Sequence, residues 1–195
     1  MMGFDANQLL YEIRSWNIKN AVVLRTESIL FCDTVRKYCE RNACGYYGKN
    51  WSCPPGVGPL DVLRERANKY GQALLIQTLH TIKNSFDLDG MIAAKKGHDQ
   101  IIRRVYGLAV EMGIGESLLL GAGFCDICDV CAYGEGKPCR FPDKALASLE
   151  AYGIDVVKLA KDCGIPYHHG TGTVSNVGLI LFDRSFLYIC KQAGC

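Results

Sequence analysis

The sequence predicts a small layered domain of the α/β or α+β class, with one sheet, flanking helices and two cysteine-rich loops. Short apolar runs typical of buried strands alternate with segments that have the periodicity of amphipathic helices. No change in composition marks a linker, and 195 residues are enough for one domain with a substantial core. Because strands and helices alternate, we expect them to pack in layers. We predict a single domain over residues 1–195, in which residues 183–195 are a flexible tail.

The helices are predicted from apolar residues spaced three and four positions apart and from the glycines and prolines at their ends. Residues 5–16 give a first short helix. Pro59 and Gly71 mark the two ends of the second, and Gly113 follows the longest helical pattern in the chain. The second helix covers residues 60–70 and the longest one residues 91–112. Two further helices are predicted over residues 144–152 and 156–162.

The strands are predicted from short runs of Val, Ile, Leu and Phe. The clearest runs are residues 73–79 and 177–182. Another, residues 117–120, leads directly into the glycine-rich start of the second cysteine-rich loop. Two shorter runs, residues 21–24 and 29–31, predict a hairpin.

Eleven of the 195 residues are cysteine, and this number decides how the chain is interpreted. An odd number of thiols cannot be fully paired within a monomer. The N-terminus has no basic region ahead of an apolar stretch, so we predict no export signal and a cytoplasmic location. In that compartment a cysteine pattern indicates a metal site more often than a disulfide framework. We therefore predict one metal-binding domain.

The most informative motif is the C-x2-C-x2-C run formed by Cys125, Cys128 and Cys131, followed eight residues later by Cys139. Bacterial ferredoxins use the same initial spacing to hold three corners of a [4Fe-4S] cluster. Four thiolates also suit zinc, which is the alternative. Three thiols at two-residue gaps crowd a single ion, whereas a cluster spreads its corners farther apart. The spacing therefore favours a [4Fe-4S] cluster at this loop.

A second thiol set, Cys39, Cys44 and Cys53, has the spacing C-x4-C-x8-C and supplies three ligands. A [4Fe-4S] cluster held by three thiolates has one iron without a protein ligand, and such an iron can bind a small molecule as a Lewis acid. A fourth ligand could instead come from Cys32 or from a remote cysteine or histidine. The sequence thus predicts one or two [4Fe-4S] clusters, with zinc as the alternative.

Motifs around both thiol sets match those of a known family. The matching positions are Val35, Arg36, Cys39, Cys44, Tyr47, Gly48, Lys49, Cys53, Pro54, Pro55, Cys125, Cys128, Cys131, Pro138, Cys139, Arg140, Pro142 and residues 148–156. On these residues the chain resembles the predicted metal-binding proteins of domain of unknown function 2284, over residues 35–182. The resemblance implies a cytoplasmic bacterial or archaeal protein whose cysteines hold a metal, in an iron–sulfur form. It implies no particular reaction.

Charge and hydropathy exclude two classes of partner. The formal net charge is +2 and no basic block or tail is present, so we predict no nucleic-acid partner. No apolar run approaches the ~18–20 residues of a membrane span, so we predict no membrane partner. The partner that remains is a redox protein or a small-molecule substrate.

Three functions are compatible with the motifs. The first is an iron–sulfur enzyme, an oxidoreductase or a sulfur-transfer or desulfurising enzyme, that uses the accessible iron of the three-cysteine set. The second is a non-catalytic electron-transfer protein or subunit, and the third is a structural zinc protein. The sequence identifies neither a substrate, an electron donor nor an oligomeric state. It also assigns no role to Cys32, Cys163, His168, His169, Cys190 and Cys195.

Overall fold

The fold is a five-stranded mixed sheet with helices on both faces, seen in a computed structural model that describes residues 4–183. This confirms the predicted class. The strands stand in the order β1-β2-β5-β3-β4, and neighbours are antiparallel except for the parallel pair β3 and β4. The strands are β1 Asn20–Arg25, β2 Gln72–Thr81, β3 Ser117–Gly121, β4 Ala147–Ser148 and β5 Thr173–Phe182.

Three of the helices begin at an aspartate whose carboxylate accepts a hydrogen bond from a backbone N–H of the first turn. These N-cap residues are Asp5, Asp87 and Asp155. Short 3-10 turns cover Thr26–Ser28, Ala132–Glu135 and Glu150–Tyr152. The α-helices in the described residues are α1 Ala6–Ile13, α2 Asp33–Glu40, α3 Leu60–Asn68, α4 Leu88–Glu111 and α5 Val156–Asp162.

Side chains of the two central strands, β2 and β5, point alternately to the two faces of the sheet, so the core has two layers. On β2, Leu74 and Ile76 face α1 and α4, whereas Leu75 faces the opposite layer, which contains α3 and α5. Strand β5 alternates in the same way, with Ile180 on the first face and Leu179 on the second. Because both faces are covered, the central strands are apolar along most of their length.

Two sequence predictions about local structure are wrong. Residues 29–31 do not pair with β1 as a hairpin, because a 3-10 turn follows β1 and Phe31 forms only an isolated bridge with Ile154. Residues 144–152 are not a helix, because residues 147–148 pair with the end of β3 as a strand. Helix α2 was not predicted, since Val35 is its one buried side chain.

Gly178, at the centre of β5, allows α4 to approach the sheet closely. A Cβ atom there would collide with Cδ1 of Ile102 and would lie 2.9 Å from the Leu120 carbonyl oxygen. We expect Gly178→Ala to lower the free energy of unfolding by about 1–3 kcal/mol, because the packed helix cannot move away freely. Denaturant titration measures the change.

The matched control is Gly107→Ala, inside α4, where an added Cβ would have no atom within 4 Å. This substitution should stabilise the protein by about 0.5–1 kcal/mol, since alanine favours the helix. Equal effects of the two substitutions would contradict the close approach at Gly178.

None of the helices in residues 4–183 is long and apolar enough to cross a membrane. Apart from Asp183, the predicted tail lies outside the described residues, and so do Cys190 and Cys195.

Candidate metal centre

Helix α2 and the loop that follows it carry the first thiol set. Cys39 is in the last turn of α2, Cys44 is exposed on the loop, and Cys53 is buried. The guanidinium of Arg36, three residues before Cys39, donates hydrogen bonds to the carbonyl oxygens of Ala151 and, at 2.7 Å, of Gly58. Arg36 therefore ties the start of this thiol loop to its end and to the 3-10 turn after β4.

Tight turns shape the loop itself. Gly45 and Gly48 have φ values of 78° and 68°, in the region that glycine adopts without strain. The Gly48 N–H donates to the Pro54 carbonyl at 2.8 Å, and the Val57 N–H donates to the Cys53 carbonyl at 3.0 Å. These bonds fold the chain back on itself, so Cys53 is brought towards Cys39 and Cys44.

The environment of the first set disfavours isolated thiolates. Burial raises the pKa of Cys53 to about 11, a hydrogen bond with Asn50 opposes this, and the nearby thiols of Cys44, Cys39 and Cys125 raise it further. Burial and the Glu150 carboxylate also raise the pKa of Cys39, against the lowering effect of Arg36. A bound cation would reverse this preference, because metal ions bind the thiolate form.

The second thiol loop connects β3 to β4. Its four cysteines, Cys125, Cys128, Cys131 and Cys139, line one small cavity. Trp51 and Ser52, the two residues before Cys53, also line this cavity, together with Ile127, Phe141 and Ala145. Two chain segments more than 70 positions apart therefore enclose the four thiols, and all nine cysteines in residues 4–183 are free.

Aromatic contacts hold the two thiol loops together. The rings of Tyr46 and Phe124 stack with their centroids 3.5 Å apart, which places Cys125 against the first loop. Trp51 contacts the Tyr133 ring edge-on at 4.9 Å, and its indole N–H donates to the Lys137 carbonyl at 2.9 Å. The loops thus form one continuous region.

Lys95 of α4 forms ion pairs that hold the second thiol loop against this helix. Its side chain is 8% exposed, and its Nζ lies 2.9 Å from a carboxylate oxygen of both Asp99 and Asp126. Asp126 directly follows Cys125, and Nζ also lies 5.2 Å from the centre of the Phe124 ring. Burial raises the pKa of the Asp99 carboxyl, and Lys95 opposes this. The ion pairs fix the position of the loop at its first cysteine.

The sequence analysis did not identify Lys95, Asp99 and Asp126. One signal was available, because Lys95 and His98 fall in the same helical stripe as the buried residue Ile102. A charged residue on the apolar face of a helix needs a buried partner, and it therefore points to a structured polar site. The pairing with Asp126 depends on the tertiary fold.

The remaining candidate ligands lie elsewhere. Cys32 is exposed at the start of α2, where hydrogen bonds with the Thr34 side chain and backbone lower its pKa. Cys163 is half-buried at the end of α5. His168 and His169 line a separate cavity of about 180 Å³ whose wall contains no cysteine.

The donor set fits a thiophilic metal, since clustered thiols select zinc and iron–sulfur clusters. Within residues 4–183, no group of three or more His, Cys, Asp or Glu side chains is drawn tightly enough to hold a metal ion. The cavity among the four cysteines has a volume of about 20 Å³, room for an atom-sized occupant. A cluster would require the four sulfurs to spread. The assignment of the seven cysteines as ligands stays a prediction.

Comparison with known proteins gave one match. The family model described as "Predicted metal-binding protein (DUF2284)" covers residues 22–182, which include both thiol loops and all five strands except the first two residues of β1. No curated protein and no solved structure matched the chain.

Proposed function

The chain belongs to the DUF2284 family of predicted metal-binding proteins, and from that premise we propose that it is an iron–sulfur protein with two neighbouring centres. Cys125, Cys128, Cys131 and Cys139 hold a fully ligated [4Fe-4S] cluster that carries electrons. The first thiol set, Cys39, Cys44 and Cys53, holds the second centre. An iron with three thiolate ligands keeps one position for a small molecule, on which it supplies redox or Lewis-acid chemistry.

The observation that carries this proposal is the shared cavity of the four thiols on the second loop, closed by the two residues before Cys53. The ferredoxin-like spacing and the shared lining of this cavity support the same four residues as ligands. The contact between the loops, through Tyr46 and Phe124, supports electron exchange between neighbouring centres.

The different exposure of the thiols supports an accessible second centre. Cys44 is exposed and Cys39 is half-exposed, whereas Cys53 is buried. A small molecule can therefore approach the first set from the Cys44 side. Arg36 and Glu150, which shift the pKa of Cys39 in opposite directions, are one cationic and one acidic side chain near this thiol.

A second candidate function is electron transfer without catalysis. Two fully ligated [4Fe-4S] clusters need eight ligands and the two loops supply seven thiols, so this function needs one further ligand. Cys32, which is exposed at the start of α2, is the candidate. If Cys32 completes the first set, no iron remains open and the protein is an electron carrier. Cys32→Ser should then disrupt the first centre, whereas a centre with an open iron would survive this substitution.

The test is purification without oxygen, followed by iron and acid-labile sulfide analysis and electron paramagnetic resonance. We expect iron and sulfide in about equal amounts. Cys53→Ser and Cys139→Ser should each remove roughly half of the iron, because each substitution affects a different centre. The spectra of the reduced variants assign each signal to one loop.

Cys163→Ser is the matched control, since this half-buried thiol follows the last residue of α5, outside both thiol loops. Its iron content should equal that of the wild type. Stoichiometric zinc without acid-labile sulfide would overturn the iron–sulfur proposal and leave a structural zinc protein.

A further inference from the structure

A larger cavity lies directly beside the cysteine cavity. It has a volume of about 500 Å³, within the range of roughly 300–1,000 Å³ that is typical of small-molecule sites. The two cavities share Trp51, Ser52 and Ala145 as lining residues. A molecule bound in the larger cavity would therefore contact side chains that also line the cysteine cavity.

One wall of the larger cavity is the free edge of β3. Strand β4 pairs only with Leu120 and Gly121, so within the described residues Ser117, Leu118 and Leu119 have no strand neighbour on that side. These three residues line the cavity. Unpaired backbone groups at a sheet edge are hydrogen-bonding positions for a ligand.

Two arginines from different layers line this cavity. Arg66 comes from α3 and Arg103 from α4. Within residues 4–183, no carboxylate lies within ion-pair distance of either guanidinium. Asp143 also lines the cavity, so the two arginines leave a net positive charge. Arg103 donates to the Lys144 carbonyl oxygen and Arg66 hydrogen bonds with the Tyr152 side chain, so each guanidinium keeps further N–H groups and lacks an ion-pair partner. Such guanidinium groups favour a carboxylate or phosphate, whose oxygens match their geometry.

The rest of the wall offers apolar contacts and hydroxyl groups. Leu63, Leu118 and Leu120 are buried side chains of the wall. The hydroxyls of Ser117 and Tyr106 lie 3.2 Å apart and can turn towards a ligand. The cavity therefore combines two cations with a few hydroxyls and an apolar surface.

We propose that this cavity binds a small organic anion, with Arg66 and Arg103 holding a carboxylate or phosphate and the leucines contacting an apolar body. The proposed iron–sulfur function is the basis for only one part of this inference, the position of the ligand beside a metal centre. Binding itself depends on the arginines and the cavity. A small organic anion is thus the class of substrate that we propose for this protein.

Isothermal titration calorimetry on the protein purified without oxygen, with its metal, tests the proposal. The probes are benzoate and phenyl phosphate, and benzyl alcohol is the uncharged analogue. We expect at least one of the two anions to bind at one site, and to bind at least tenfold more tightly than benzyl alcohol. Arg66→Gln and Arg103→Gln should each weaken that binding at least tenfold.

Arg104→Gln is the matched control. Arg104 is adjacent to Arg103 on α4, but its guanidinium stacks at 4.0 Å over the Trp16 ring and does not line the cavity. Its substitution should change the affinity less than twofold. Failure of both anions to bind, equal binding of benzyl alcohol, or an equal loss with Arg104→Gln would overturn the proposal.

Metal analysis of the same samples separates this inference from the proposed function. Anion binding that requires both arginines, in a protein without iron and sulfide, would support the cavity and contradict the iron–sulfur centre. The reverse result, with iron and sulfide present and no anion bound, would contradict the cavity alone.

Discussion

Lys95→Met should lower the free energy of unfolding by about 3–5 kcal/mol, which would be one of the largest effects of any single substitution in this protein. The Lys95 ammonium lies 2.9 Å from Asp99 and from Asp126, and the side chains of all three residues are at most 20% exposed. Removing the cation leaves two neighbouring carboxylates partly buried without their common partner. Denaturant titration of the metal-containing protein measures the loss.

Lys96→Met is the control, because it makes the same change at the next position of α4, where the side chain is exposed. Its effect should stay within about 0.5 kcal/mol. Adding Asp99→Asn and Asp126→Asn to Lys95→Met should recover much of the stability, since neutral amides need no cation. If Lys95→Met and Lys96→Met have equal effects, the buried ion pairs do not stabilise the protein.

Loss of Lys95 should also affect metal binding. Asp126 is adjacent to Cys125, so releasing its carboxylate frees the second loop at its first thiol. We expect the isolated Lys95→Met protein to contain less metal than the wild type even under conditions where it remains folded. Lys95 is a positioning residue, and its effect acts through Asp126 rather than on the metal itself.

The parts of the fold that were predicted correctly depend on local patterns. The central strands β2 and β5 are continuous apolar runs because both of their faces are covered, so their composition alone identifies them. Helix α4 shows its periodicity over 24 residues and begins at the Asp87 cap. A periodic pattern of this length rarely arises by chance, so it predicts a helix from a single sequence.

The errors fall where distant contacts decide the structure. Strand β4 consists of two residues and exists because Ala147 pairs with Leu120 of β3. Phe31 bridges to Ile154, more than 120 positions away, and not to β1. Residues 144–152 have helix-forming composition, and the pairing with β3 overrides it. The pairing partners of β4 and Phe31 are distant in sequence, so no local sequence pattern predicts them.

In the candidate site, too, local features were predictable from the sequence and contacts between distant residues were not. Spacing predicts the two thiol sets as ligands, because metal ligands that come from one loop must be close in sequence. The contact between the loops, made by the stacked rings of Tyr46 and Phe124, links residues 78 positions apart and was not predictable. The neighbouring cavity was not predictable either, since Arg66 and Arg103 come from helices on opposite faces of the sheet.

His98 should make the protein less stable in acid. Its imidazole is fully buried in α4, where Thr78 Oγ1 lies 3.0 Å from Nδ1, and Nε2 faces Gly178. Burial lowers the pKa of His98 to about 3, and the positive charges of His80 and Lys95 add to this. The folded protein therefore keeps His98 neutral at a pH where the unfolded chain binds a proton.

The sign of the pH dependence follows from this difference. Below the unfolded pKa of about 6.5 the unfolded state binds one more proton, so the free energy of unfolding falls as the pH falls. The expected slope is roughly 1.4 kcal/mol per pH unit, which gives about 2 kcal/mol between pH 6.5 and pH 5. Urea titrations across this range measure it, and His98→Gln should remove this part of the slope.

His168→Gln is the control, because His168 is exposed and lies outside α4. Proton-driven metal release also destabilises thiol sites in acid, but it acts on the wild type and on both variants alike. The decisive quantity is therefore the difference in slope between each variant and the wild type. Equal slopes for His98→Gln and the wild type would mean that the buried imidazole accepts a proton without unfolding, through a rearrangement of α4 against the sheet.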